Sequence, residues 1–323
     1  MKSKMKYCIA ILIVMSTITL LVWMVCPEEK EMEQERLLVF TSFYPLADFA
    51  DKIGGEHVEV TMIVPAGVDP HEYEPSAKDL AHLSKADVFL YNGAGFESWA
   101  QRATSMLEKE ESVVVATIHE ALAEESEMNE EAHHDEHDEH EEEEHDHGGV
   151  DPHVWLDPLR AQAQAKVIRD ALIEADPDHR TEYEDNYAQL YERLQGLHDQ
   201  IDRIAQQSTH KHFVTSHAAF GYLAERYGLQ QLAVHGLVPA DEPSAKELEE
   251  VITSIRELGV EVLLIESLTA SRAMSVIERE TGVRTLSFHS LEGLTKTEVQ
   301  MGEDYFSIME TNIAHLREAL EGP

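Results

Sequence analysis

Seven apolar residues, Tyr183, Tyr187, Leu190, Leu194, Leu197, Ile201 and Ile204, recur at steps of 4, 3, 4, 3, 4 and 3. That spacing lines them up on one face of an α-helix. The uninterrupted pattern around them predicts a helix of roughly 30 residues, about 45 Å long. A helix of that length crosses a small domain from side to side, so the rest of the chain must be arranged around it. Helical sequence also precedes it from Pro158, with a break near Asp176 and Pro177.

On both sides of this helix, buried strand-like runs alternate with amphipathic segments. The first set is Leu37 to Phe43, Val58 to Val64, Asp87 to Gly93 and Glu111 to Thr117, with helices over Tyr44 to Gly55 and Ser76 to Ala86. The second set is His212 to His217, the run QQLAVHGLV, Val260 to Ser267 and Arg284 to His289. Its helices include Ser244 to Gly259 and one closing helix from Met301 to Gly322. Alternation at this spacing indicates parallel βαβ units. The predicted fold class is therefore α/β, with two lobes, each a small parallel sheet flanked by helices, joined by one long helix. The boundaries read as an export segment at 1–36, a first lobe at 37–157, a helical region with the linking helix at 158–208, and a second lobe at 209–323.

The first 36 residues follow a different logic. Lys2, Lys4 and Lys6 precede an apolar run from Tyr7 to Cys26, and an acidic run comes next. Such a start directs the rest of the chain out of the cytoplasm. Cys26 stands where a lipoprotein would be cleaved and lipidated, whereas Val25 occupies a position that usually holds a small residue. An uncleaved membrane anchor and full release therefore remain as competing readings. Cys8 and Cys26 are the only cysteines. The body thus contains neither a disulfide nor a thiolate metal site. Its 25 basic and 63 acidic residues give a formal charge of -38, which excludes nucleic acid as a partner and attracts divalent cations at long range.

Histidine is unevenly distributed. His133, His134, His137, His140, His145 and His147 fall within the acidic tract 124–147, which has almost no apolar residue and is expected to be a disordered loop. Tracts of this composition bind borderline-soft divalent ions weakly and in many arrangements. Three other histidines each follow a strand-like segment: His71 in VPAGVDPHEYEPS, His153 in VDPHVWLDP and His217 in VTSHAAFGYL. Groups at the carboxyl ends of parallel strands converge on one crevice. In Asp69-Pro70-His71 and Asp151-Pro152-His153 the proline fixes the chain just before the imidazole. Three neutral imidazoles and one oxygen donor make a tetrahedral zinc site. For the fourth donor the segment TLSFHSLEGLT offers His289 and Glu292, and the residues alone leave both open. Asp69, Asp151 and Asp157 are candidates to orient the imidazoles, and Glu72 and Glu74 could line the cleft.

The motifs DPHEYEPS, NGAGFESW, DPHVWLDP, TSHAAFGYLAERYGL, ADEPSAKELEEVI and SLEGL occur in that order. In them the chain resembles the zinc and manganese solute-binding proteins of ABC transporters, over essentially everything from Leu37 to the C-terminus. The resemblance implies two lobes on one rigid helix, and a bound Zn²⁺ delivered to a membrane permease. It implies a monomer tethered outside the cytoplasm, and His71, His153 and His217 as ligands. Many relatives have an aspartate where this chain has His289, and the Gram-positive zinc members favour the glutamate matching Glu292. The acidic, histidine-rich insertion looks like that of the zinc members, and manganese members tend to replace the third histidine with glutamate. Two other classes remain as competitors. A zinc hydrolase would need an open metal position and a general base, and the chain has no HExxH or nucleophile elbow. A cell-surface adhesin would need an exposed binding face. Protonation of the histidines is expected to weaken metal binding below pH about 6.5.

Overall fold

A computed structural model describes residues 36–107, 112–123, 150–238, 243–266 and 272–321. The export segment with Cys26, apart from Arg36, and the histidine-rich tract 124–147 lie outside the described residues. From Leu37 onward the chain forms one compact unit. No described helix is long and apolar enough to cross a membrane.

Among the described residues there are two four-stranded parallel sheets, and they share one plan. In the first, β1 (Leu37–Thr41), β2 (Val58–Met62), β3 (Val88–Tyr91) and β4 (Val113–Ala116) lie in the order β2-β1-β3-β4. In the second, β5 (His212–His217), β6 (Gln230–His235), β7 (Val262–Ile265) and β8 (Arg284–Ser287) lie in the order β6-β5-β7-β8. In each sheet the chain steps to one side and then crosses to the other, so a crevice opens at the carboxyl ends of the two central strands. The register pairs Thr41 with Leu90 in one sheet and Thr215 with Leu264 in the other.

The helices of the first half are α1 (Tyr44–Gly54), α2 (Ala77–Leu83) and α3 (Ala100–Thr104). Next come α4 (Pro158–Ala175) and the long α5 (Arg180–Gln207), separated by a 3₁₀ turn at Pro177–His179. The second half carries α6 (Gly221–Arg226), α7 (Ala245–Leu258), α8 (Arg272–Thr281), α9 (Lys296–Met301) and α10 (Tyr305–Glu321). Local sequence accounts for the starts. Ser76, Ser244 and Thr295 each form a capping box with the acid three residues on, and Asp157 caps α4 ahead of Pro158.

Helix α5 has 28 residues. Six of the stripe residues are buried and Tyr187 is partly so, all in one apolar core. That core also takes in Val39, Phe49 and Trp155 from the first half and Phe213, Phe288 and Tyr305 from the second. Burial of this shared surface is what holds the halves together. Two buried hydrogen bonds join them as well: Trp155 Nε1 donates to the Ser290 carbonyl at 2.7 Å, and the Tyr305 hydroxyl donates to the Trp155 carbonyl at 2.6 Å.

The C-terminal end departs from the sequence expectation. The single closing helix from Met301 is two helices, because Gly302 adopts a left-handed conformation at φ 72° and ends α9. Asp304 then accepts the Ser307 amide at 2.8 Å and starts α10.

Candidate metal centre

The two Asp-Pro-His segments fold in the same way. Asp69 Oδ1 accepts the His71 amide at 2.8 Å, and Asp151 Oδ1 accepts the His153 amide at 2.9 Å. Each aspartate therefore makes a turn around its proline and presents the imidazole from a fixed backbone. At His153 the same carboxylate oxygen also takes the ring Nδ1 proton at 2.7 Å. His217, the last residue of β5, is held by Glu266 at the end of β7: Oε1 accepts the His217 amide at 3.2 Å and its Nδ1 at 2.6 Å. A carboxylate on Nδ1 fixes the tautomer that leaves the Nε2 lone pair free for a metal.

Those lone pairs converge. Nε2 of His71, His153 and His217 lie 3.3, 3.2 and 3.1 Å from Oε1 of Glu292. His153 Nε2 and His217 Nε2 are 3.4 Å apart, and the four donor atoms all fall within 4.8 Å of one another. A tetrahedron around Zn²⁺ with bonds near 2.0–2.1 Å has edges of roughly 3.3–3.4 Å. The three separations to Glu292 and the one between His153 and His217 thus match the edges of such a tetrahedron. The imidazoles of His153 and His217 and the Glu292 carboxylate are buried, and the His71 side chain is only 4 % exposed. Phe96 packs edge-on against the His71 ring at 4.7 Å, which limits its rotation.

The electrostatics describe a cage made for positive charge. Burial opposes ionisation of Glu292, yet the hydrogen bonds from His153, His217 and His71 hold its carboxyl well below the usual range. Burial also pulls His217 down, but Glu266 and Glu292 outweigh it and push the imidazole up to about 10. His153 is raised against burial by Asp151 and Glu292. Protons and a divalent cation therefore compete for the same lone pairs.

Of the five sequence candidates, His71, His153, His217 and Glu292 come together, and His289 does not join them. Its Nδ1 accepts the Leu291 amide at 2.8 Å and its Nε2 sits 3.4 Å from Glu298 Oε2. Asp151 orients an imidazole, whereas Asp69 reaches only the His71 backbone amide. Asp157 lies away from the four donors, where it accepts from Arg226 at 2.5 Å and caps α4. Glu74 faces outward and pairs with Arg102 at 3.3 Å. The carboxylate that sequence reasoning missed is Glu266. Its one signal is an acid placed directly after the apolar strand VLLI.

Residues 39–319 match the family model described as zinc-uptake complex component A, periplasmic. The chain is 35% identical over 300 residues to the zinc-binding lipoprotein AdcA of Streptococcus pneumoniae, covering 92% of this chain and 59% of that protein. It thus spans about three fifths of that relative's length. It is 37% identical over 286 residues to the high-affinity zinc uptake system protein ZnuA of Bacillus subtilis, covering 88% of each. The Zn(II)-bound ZnuA-like domain of Streptococcus pneumoniae AdcA is a similar solved structure, with a TM-score of 0.73 and 33% identity over 89% of this chain and 100% of that one.

Proposed function

The chain belongs to the zinc-uptake complex component A family, and from that premise we propose that it is the zinc-capturing receptor of an uptake system. In this reading His71, His153, His217 and Glu292 hold one Zn²⁺ between the halves, and the protein passes the ion to a membrane permease without chemical change. The reading also takes the protein to act as a monomer, tethered outside the cytoplasm through a lipid on Cys26.

The observation that carries this reading is the set of 3.1–3.3 Å separations between three Nε2 atoms and one Glu292 oxygen. Three neutral imidazoles and a carboxylate suit zinc. Manganese prefers more oxygen donors and a larger coordination number, so an imidazole at His217 argues against it. The fourth corner is supplied by protein, which removes the open position that a hydrolytic zinc needs. The tract 124–147 would collect zinc by weak multivalent binding and raise its local concentration.

The test is metal analysis and competitive zinc titration of the body from Glu28, with and without residues 124–147, each also with Glu292→Ala. One tight zinc per chain that survives loop deletion and weakens with Glu292→Ala is the expected result. Loss of all tight zinc on loop deletion would overturn the assignment.

A further inference from the structure

Glu292 reaches the three imidazoles from an unusual backbone. Leu291 is left-handed at φ 60°, a conformation that leucine rarely adopts, and it is fully buried. A turn of this kind persists only where its surroundings fix it from several directions. Asn312 on α10 clamps His289, accepting its amide at 2.8 Å and donating to its carbonyl at 2.8 Å. Trp155 Nε1 holds the Ser290 carbonyl at 2.7 Å. The Leu291 amide, one residue before Glu292, is held by the His289 ring.

That ring is itself oriented. Glu298 Oε2 faces His289 Nε2 at 3.4 Å and also takes the Thr295 amide at 2.7 Å as part of the α9 cap. The Glu298 carboxyl is lowered to about 2, with the His289 hydrogen bond as the largest cause. A carboxylate beside Nε2 keeps the proton there and leaves the Nδ1 lone pair for the Leu291 amide. Both ring nitrogens are then engaged.

We propose that His289 is a positioning residue for the zinc site: through Nδ1 it holds the Leu291 amide and so fixes the strained turn that aims Glu292 at His71, His153 and His217. The proposal rests on the zinc-site reading above. It assigns to the histidine at this position a part in setting the carboxylate, without contact with the ion.

The two ring nitrogens can be separated by substitution. In His289→Asn the side-chain oxygen replaces Nδ1 and still accepts the Leu291 amide. In His289→Gln the amide group replaces Nε2 and nothing accepts from Leu291. Competitive zinc titrations of both variants, of Glu292→Gln and of the His289→Gln/Glu292→Gln double variant are compared with the unaltered protein, and folding is followed by circular dichroism. Cobalt-substituted spectra report whether the carboxylate still completes a four-coordinate site.

The expected result is near-native affinity for His289→Asn and a loss of about tenfold or more for His289→Gln. The loss disappears in the Glu292→Gln background, and the cobalt spectrum of His289→Gln moves toward that of Glu292→Gln. Native affinity in His289→Gln would overturn the proposal, as would equal losses in both His289 variants or an undiminished loss in the double variant. If Glu292→Gln itself left zinc affinity unchanged, the zinc-site reading would fail rather than this one.

Discussion

The two halves use one sheet plan, yet the carboxylate at each crevice has a different task. In the first half Glu97 is buried and accepts the amides of Asn92 and Gly93 at 2.8 and 3.1 Å, and the Ser42 hydroxyl donates to it as well. In the second half Glu266, directly after β7, is buried and accepts the amide and the ring Nδ1 of His217. Ser42 and His217 both lie at the carboxyl ends of the central strands β1 and β5. One carboxylate therefore ties two adjacent loop amides to a serine hydroxyl, and the other ties backbone to an imidazole of the four-donor cluster. The first arrangement has a consequence for the site as well. The Asn92 side chain it helps to seat donates to the Pro152 carbonyl at 2.9 Å, next to His153. Each half contributes two of the four clustered donors, yet the buried carboxylate supports a loop in one half and an imidazole of the cluster in the other.

The sharpest contrast is at the strand ends. His217→Ala removes a corner of the tetrahedron and is expected to cost about 3 kcal/mol, ~100-fold or more in zinc affinity, if four ligands share the free energy of a typical tight site. Ser42→Ala should leave the affinity of the folded protein unchanged and lower only its stability, by about 1 kcal/mol for the lost hydrogen bond. Paired zinc titration and thermal melts check both. Equal affinity losses would mean that the two strand ends serve the site alike.

Proton competition acts on imidazoles from both halves, His153 and His217. Zinc displaces protons from imidazoles that the carboxylates have made more basic, so affinity should fall as pH falls, by about tenfold per pH unit for each proton displaced. The ordinary histidine range would confine this loss to pH below about 6.5. With His217 raised to about 10, the competition instead extends up through neutral pH. Stability of the metal-free protein carries the opposite sign. The folded pKa of His217 lies above its unfolded value, so its contribution is complete below pH about 6.5 and is lost as pH rises through about 10. Zinc titrations and metal-free melts from pH 6 to 9.5 should therefore slope in opposite directions, and a flat zinc titration would break the account. Glu266→Gln removes much of the support for His217 and should flatten both slopes.

Exchanging the two carboxylates in turn gives the next largest effect. Glu266→Gln should weaken zinc about 10–100-fold, the usual cost of losing the group that orients a metal-bound histidine, with a small change in melting temperature. Glu97→Ala leaves two buried amides without their acceptor and should destabilise by about 1–3 kcal/mol per amide, with a smaller effect on zinc. Burial raises the Glu97 carboxyl against the hydrogen bonds from Ser42, Asn92 and Gly93.

How much of this was legible in the sequence depends on what is local and what is not. The stripe from Tyr183 to Ile204 is a local periodicity, and its burial matches the reading. The Asp-Pro-His turns are local too, since the aspartate and the histidine amide it caps are two residues apart. The Glu266 pair is not. It depends on β7 lying beside β5, a neighbour relation between strands that are not consecutive in the chain. Nor could spacing separate Glu292 from His289, because the choice turns on the positive φ of Leu291, and leucine carries no signal for that conformation. The break of the last helix did have a signal, in Gly302 and Asp304, but apolar periodicity on both sides masked it.

The smallest effect tests how the two halves meet at His153. Asp151, which orients that imidazole, lies against the start of α6 in the other half. A Cβ on Gly221 would sit 3.0 Å from Asp151 Oδ2, and the neighbouring Tyr222 hydroxyl donates to the Asp151 carbonyl at 2.9 Å. Gly221 has no left-handed backbone to explain it. Its lack of a side chain is a matter of space for a carboxylate from the first half. Gly221→Ala should push Asp151 aside by a few tenths of an ångström and loosen its grip on His153 Nδ1, weakening zinc several-fold, about 1 kcal/mol. Gly228→Ala, at the other end of α6 with nothing near its Cβ but a φ of 62°, is the control for backbone strain alone. It should lower the melting temperature and leave affinity unchanged. If Gly221→Ala behaved like Gly228→Ala, Asp151 would be set by its own Asp-Pro-His turn, and the second half would supply ligands without positioning those of the first.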